Sequence, residues 1–232
     1  YELCRISGFG FKRVDAIILA GSKFVEMRPR DNEYIIEAAA KLPIMLVNGY
    51  LEGENIYSTI CDDRAAVYQV TRELLNSGRR KLLYLYTSHS FSGVNKLAGF
   101  KEAHQQMGLE VPDSMIRQCA KDISVARDLL LTLHREGLEF DAVVTSDDSL
   151  AVGAVKFAHA AGISIPDELS IIGYNDSILA RSTDPEITSI DSKVEALCST
   201  TINTLMGVFS GKNVPSRTTI ASDLIKRQTT NF

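Results

Sequence analysis

Three short stretches hold most of the side chains that could do chemistry: "TSHSFS" at 87–92, "SDD" at 146–148 and "YND" at 174–176. Each follows an apolar run that reads as a strand. Hydroxyl, amide and carboxylate groups in such places suit a polyhydroxylated or hydrogen-bonding small molecule, since each can pair with a ligand hydroxyl at modest desolvation cost. Catalytic readings have less support. The acid pairs Asp62–Asp63 and Asp147–Asp148 would suit Mg²⁺-dependent phosphoryl transfer. However, the chain has no G-x-x-x-x-G-K-[ST] loop and no G-x-G-x-x-G after a strand, and "GFGF" at 8–11 matches the latter only superficially. There is no G-x-S-x-G elbow either. The four cysteines, Cys4, Cys61, Cys119 and Cys198, show no C-x-x-C spacing, and the four histidines are scattered. Reduced thiols, with no metal and no cofactor, are the expectation.

The acids at the strand tips have plain structural uses as well. Asp148 stands just before a helical pattern and is expected to be its N-cap; Asp63 reads the same way, and Asp176 as the start of a turn. Asp147 and Asn175 each lie beside the better cap or turn residue and are left to face a cleft.

The elements that would position these groups alternate along the whole chain. Strand candidates are Val14–Leu19, Ile44–Val47, Ile56–Cys61, Leu82–Tyr86, Met115–Cys119, Ala142–Thr145, Leu169–Gly173 and roughly Thr218–Leu224. Helical patterns open near Asp31, Asp63, Ser124 and Asp148. A further one carries Leu97, Phe100 and Met107, and the last runs from about Val194 to Phe209. Glycines at 78, 108, 137, 162 and 211 stop five of the six. Strand, helix, glycine and strand in repetition imply βαβ units and mostly parallel sheets covered by helices. In such sheets ligands bind beyond the carboxyl ends of the strands, where the three polar stretches lie.

A chain of 232 residues, 45% of them hydrophobic, can bury a large core as one α/β domain or two lobes. Its net charge of −4 offers no basic field for a phosphate backbone, so these residues alone are expected to bind nucleic acid poorly. No apolar run reaches membrane-spanning length and no signal peptide opens the chain, so a cytoplasmic location is expected. The absence of an initial methionine is expected of a fragment or a trimmed chain.

"VDAIILAGS", "LPIMLVNGYLEG", "KLAGFKEAHQQMGL" and, above all, "SDDSLAVGA", "GISIPDELSIIGYND" and "PEITSI" follow one another in an order that resembles the effector-binding and dimerisation region of the lac repressor (LacI/GalR) family. The resemblance covers nearly the whole chain from Val14. It implies a two-lobed, periplasmic-binding-protein-like (type I) α/β fold, each lobe a mostly parallel sheet flanked by helices, with three crossovers between lobes. The first lobe would take roughly residues 1–78 plus 192–213, and the second 79–191 plus 214–232. It also implies a non-enzymatic sensor that binds a sugar-like effector between the lobes. Such a sensor would act as a homodimer and reach operator DNA only through an N-terminal helix-turn-helix domain that is not in this sequence. On that model Asn175, Asp147 and Lys96 contact the effector, with Ser90, Ser92 and, less directly, Ser192; Asp176 shapes the loop. Three departures stand out. Lys96 replaces a forked arginine with a point charge, which weakens bidentate recognition. Asn48-Gly49 stands where many relatives have Asp-Arg. The family's first strand and helix have no counterpart around "YELCRIS". A transporter's solute-binding protein shares the fold and is the alternative reading, followed by a doubly wound sugar or phosphoryl-transfer enzyme.

Overall fold

A computed structural model describes residues 14–232, so Cys4 and "GFGF" lie outside the described residues. In chain order the elements are β1 (Ile17–Ala20), α1 (Glu33–Ala39), β2 (Ile44–Val47), β3 (Ile56–Cys61), α2 (Asp63–Asn76), β4 (Leu82–Tyr86), α3 (Phe91–Gln106), β5 (Ile116–Gln118), α4 (Ile123–Arg135), β6 (Ala142–Thr145), α5 (Asp148–Ala161), β7 (Ser170–Tyr174), α6 (Ile178–Arg181), β8 (Thr188–Asp191), α7 (Val194–Phe209), β9 (Arg217–Ile220) and β10 (Asp223–Ile225). The chain divides into two compact units. One runs to Asp62 and includes Ser90–Ser92 and Lys193–Ile220; the other takes Asp63–His89, Gly93–Ser192 and Ala221–Phe232.

The first unit is built on a parallel sheet of order β1-β2-β3-β9. Ile44 and Leu46 of β2 pack with Leu19, Val25, Ile35, Ala39 and Ile56 in its core. Helix α7 lies against β2 and β3 and buries Leu197, Thr201 and Leu205, which recur every four residues on one face.

The second unit carries a sheet of order β10-β8-β7-β6-β4-β5, parallel except where β10 runs antiparallel to β8. Its strands β4, β6 and β7 are buried on both faces, and the two-residue period sorts their side chains. Leu83, Leu85, Val143 and Ile171 pack with Ala126, Leu130, Leu150 and Ala154 of α4 and α5. Leu82, Tyr84, Val144, Ile172 and Tyr174 pack with Val67, Val70 and Leu74 of α2 and Phe100 of α3. A parallel sheet with both faces covered is the arrangement such continuous apolar runs require.

Three features differ from the sequence reading. The run Thr218–Leu224 is two strands: β9 pairs with β3 in one unit, and β10 pairs with β8 in the other. A continuous β-type pattern does not reveal that its partner changes midway. Strand β8 is not among the strand candidates. The division at Asp62–Asp63 and Ile220–Ala221 puts α2 with the second unit and β9 with the first, opposite to the lobe boundaries expected above. The apolar face of α2, which joins Tyr84 and Phe100, is the physical reason for the first. Backbone pairing with β3 is the reason for the second.

Helices α2 and α3 approach closely at Gly99, where an added Cβ would fall 2.2 Å from the Arg64 carbonyl oxygen. Backbone cannot yield as a flexible side chain can. Gly99→Ala is therefore expected to destabilise the protein by about 2 kcal/mol, within the range for overpacked cores, despite alanine's better helix propensity. Urea unfolding would measure it, and an unchanged midpoint would contradict the close crossing.

Candidate functional site

The parallel register brings the ends of β4, β6 and β7 to one edge of the second sheet: Leu85 pairs with Thr145, and Val144 with Ile172. The Thr87 amide donates to Ser146 Oγ (3.1 Å), and the Cys119 amide to the Tyr86 carbonyl (2.9 Å), which draws the β5 end into the same row.

Asp147 stands at the centre of this row. Its backbone is extended, and its Oδ1 accepts from the Ser149 amide (3.0 Å) and the Ser149 hydroxyl (2.6 Å), so Asp147 is the N-cap of α5. This corrects the expectation that Asp148 caps the helix and Asp147 is free. Asp148 is instead buried at 1% exposure. Its Oδ2 accepts from the Ser177 amide and hydroxyl (both 2.7 Å), and its Oδ1 from Ser189 Oγ (2.6 Å). Burial pushes the Asp148 carboxyl above its ordinary range, and the Ser189 and Ser177 hydrogen bonds partly oppose that shift. An N-cap needs an extended residue with its carboxylate against the first turn, whereas the next residue along already points into the core.

Asp147 Oδ2 accepts from Asn175 Nδ2 (3.2 Å) and pairs with Lys121 Nζ (2.7 Å). Asn175 Oδ1 in turn accepts from the Ser192 hydroxyl (3.3 Å). Asn175 and Asp176 have positive φ, 99° and 46°, an uncommon conformation for two consecutive non-glycine residues. The turn is held by the Asn175 amide on the Ile190 carbonyl (2.8 Å) and the Asp176 amide on Ser189 Oγ (3.1 Å). The Asp176 carboxylate pairs with Arg181 (2.9 Å) and Arg227 (2.6 Å). Shaping this loop is what was expected of Asp176.

Lys96 is 7% exposed and lies behind the row. Its ammonium donates to the Ser146 carbonyl (3.2 Å), sits 3.4 Å from the Tyr174 ring centroid, and stands 3.9 Å from Asp63 Oδ1. The Tyr174 hydroxyl donates to the same Asp63 oxygen, while Asp63 Oδ2 is buried without a hydrogen-bond partner among the described residues. Burial first, and Asp63 second, push the nearby Tyr84 phenol upward.

Of the residues singled out in the sequence, the structure therefore links Asp147, Asn175 and Ser192 directly, with Lys96 on the adjacent Ser146 carbonyl. Ser90 Oγ accepts from Ser22 Oγ (2.9 Å) within the first unit, and the buried Ser92 hydroxyl has no hydrogen-bond partner among the described residues. The residue that sequence reasoning missed is Lys121, just past β5. A single lysine in a loop carries no spacing signal, and only the fold shows its distance to Asp147. Among the described residues no group of His, Cys, Asp or Glu is arranged to hold a metal, and no helix is long and apolar enough to cross a membrane.

A profile of the periplasmic binding protein-like domain matches residues 71–230. The chain belongs to that family. It is 50% identical over 221 residues to an HTH-type transcriptional regulator of Lachnoclostridium phytofermentans, covering 95% of this chain and 66% of that protein. It is 29% identical to the HTH-type transcriptional regulator AscG of Escherichia coli, covering 93% of this chain and 63% of the regulator. Among solved structures, a sugar-binding transcriptional regulator of the LacI family from Escherichia coli, complexed with phosphate, superposes with a TM-score of 0.86 at 27% identity, covering 99% of this chain and 81% of that one. The fold and the LacI/GalR resemblance read from the sequence blocks are borne out.

The Lys96–Asp63 pair gives a stability prediction. Lys96→Met strands a buried carboxylate and is expected to cost about 3–5 kcal/mol. The double variant Lys96→Met/Asp63→Asn should recover a large part of that loss. Chemical denaturation of the double variant and of both single variants, Lys96→Met and Asp63→Asn, measures the coupling, and additive losses would show that the pair does not interact.

Proposed function

We propose that this chain is the ligand-sensing core of a LacI-type transcriptional regulator and is not an enzyme. It binds a small polar effector, a sugar or a close relative, at the strand tips around Asp147 and Asn175. The observation that carries this reading is the hydrogen-bonded series Lys121–Asp147–Asn175–Ser192 beyond the ends of parallel strands, in a chain related to HTH-type regulators. The geometry offers groups that recognise hydroxyls, and among the described residues no group of His, Cys, Asp or Glu is arranged to hold a metal. Lys96 supports the series from behind through Ser146; Ser90 immediately precedes α3 and Ser92 lies in its first turn.

Control of DNA binding follows by population shift. Ser192 donates to Asn175 and immediately precedes the chain crossover at Lys193, whose φ is 56°. An effector that re-pairs Asn175 changes the contacts of the residue next to that crossover and so favours one arrangement of the regulator over another. Operator contacts belong to a helix-turn-helix domain outside these residues, consistent with their acidic balance, and the working form is a cytoplasmic homodimer.

Binding is testable by thermal shift against neutral sugars, sugar acids and sugar phosphates. A ligand at 100 times its Kd adds about 2.7 kcal/mol of apparent stability. Asn175→Ala is expected to weaken the active ligand at least tenfold while leaving the unliganded melting temperature within a few degrees. Unchanged affinity would remove the site assignment at its centre. Failure of every ligand, together with no operator binding by the complete regulator, would overturn the reading.

A further inference from the structure

We infer that the effector is an acidic sugar, a polyol bearing a carboxylate or phosphate, and that Lys121 is the residue that selects it. The inference rests on the sensor reading above and concerns which groups of that site remain available to a ligand.

A carboxylate offers about four lone-pair positions. At Asp147 four donors already reach it: the Ser149 amide and hydroxyl on Oδ1, and Asn175 Nδ2 and Lys121 Nζ on Oδ2. The acid at the centre of the site is therefore saturated from within the protein. The second charged group close by, Lys96, is buried and committed to Ser146 and Asp63.

What stays open is of the opposite kind. The Lys121 side chain is 65% exposed and spends one N–H on Asp147, leaving two. Asn175 is half-buried, and its amide keeps a second N–H. Both residues keep hydrogen-bond donors to offer, one of them a cation anchored at 2.7 Å to a mostly buried acid.

The choice of ligand follows from the exchange each one requires. A neutral hydroxyl gains Asp147 as an acceptor only by displacing Lys121 and replacing a charge-assisted hydrogen bond with a weaker one. A carboxylate or phosphate keeps the Lys121–Asp147 pair and adds its own charge-assisted bonds to the free ammonium hydrogens. Coulomb attraction and hydrogen-bond count both favour the anion.

The test measures dissociation constants by calorimetry for glucose and galactose, their uronates and their 6-phosphates, on the wild-type protein and on Lys121→Gln. Lys121 is exposed, so the variant should fold, and its melting temperature checks that it does. The expected result is an acidic member binding at least tenfold tighter than its neutral parent, with that ratio falling to about one in Lys121→Gln. The separate uronate and phosphate arms show which anion the site takes. Neutral parents binding as tightly as their acids would overturn the inference and leave the sensor reading standing, as would a preference that survives Lys121→Gln. Absence of binding by every member overturns both.

Discussion

A carboxylate taken out of water must find its hydrogen bonds inside the protein, and the arrangement of this site follows from how Asp148 meets that requirement. Its two oxygens gather the Ser177 amide and hydroxyl from the start of α6 and the Ser189 hydroxyl from β8. One buried group thereby ties the start of α5 to the loop after β7 and to the neighbouring strand. Ser189 passes the constraint on by accepting from the Asp176 amide, which helps hold two consecutive residues at positive φ. The space is tight enough that a Cβ at residue 173 would lie 2.2 Å from Asp148 Oδ1, so a glycine is required there. Removing Asp148 would free the turn that aims Asn175.

Two adjacent aspartates thus do different work because the chain turns between them. Asp147 is the last extended residue before α5, so its carboxylate lies against the first turn with one edge toward solvent and Lys121. Asp148 is the first helical residue and points into the core. The same separation holds for the two lysines. Lys96 is enclosed by Tyr174, Asp63 and Ser146, and Lys121 is held by one contact and otherwise exposed. The site combines an interior set of paired charges with a more exposed cation at its outer side.

Much of the frame was legible in the residues. Leu82–Tyr86 and Ala142–Thr145 are strands with the expected limits, and α2, α5 and α7 lie where their four-residue apolar spacing put them. Gly162 ends α5 at φ 70° with its amide on the His159 carbonyl, as a glycine after a helical pattern suggests. Misreadings arose where a local pattern serves two outcomes equally well. Either acid of "SDD" suits an N-cap by residue type, and only the extended backbone of Asp147 selects it. Likewise, Ser124 stood in for Asp122, which caps α4 with bonds to the Ser124 and Val125 amides. The pattern of Thr218–Leu224 is alike for one strand or two.

By itself the sequence determined the alternation of strands and helices, the two-faced burial of the second sheet and the presence of short polar groups at its strand tips. These depend on periodicity and on residue chemistry within a few positions, and neither changes when the rest of the chain is rearranged. The tertiary structure alone decided that Lys121 reaches Asp147, that Lys96 is spent on Asp63 and Tyr174, and that Asn175 joins Asp147 to Ser192. Those pairings join residues 17 to 78 positions apart, from Asn175–Ser192 to Lys96–Tyr174. A hydrogen bond falls away within about an ångström of its ideal length, and only packed sheets and helices set distances that finely between such remote positions.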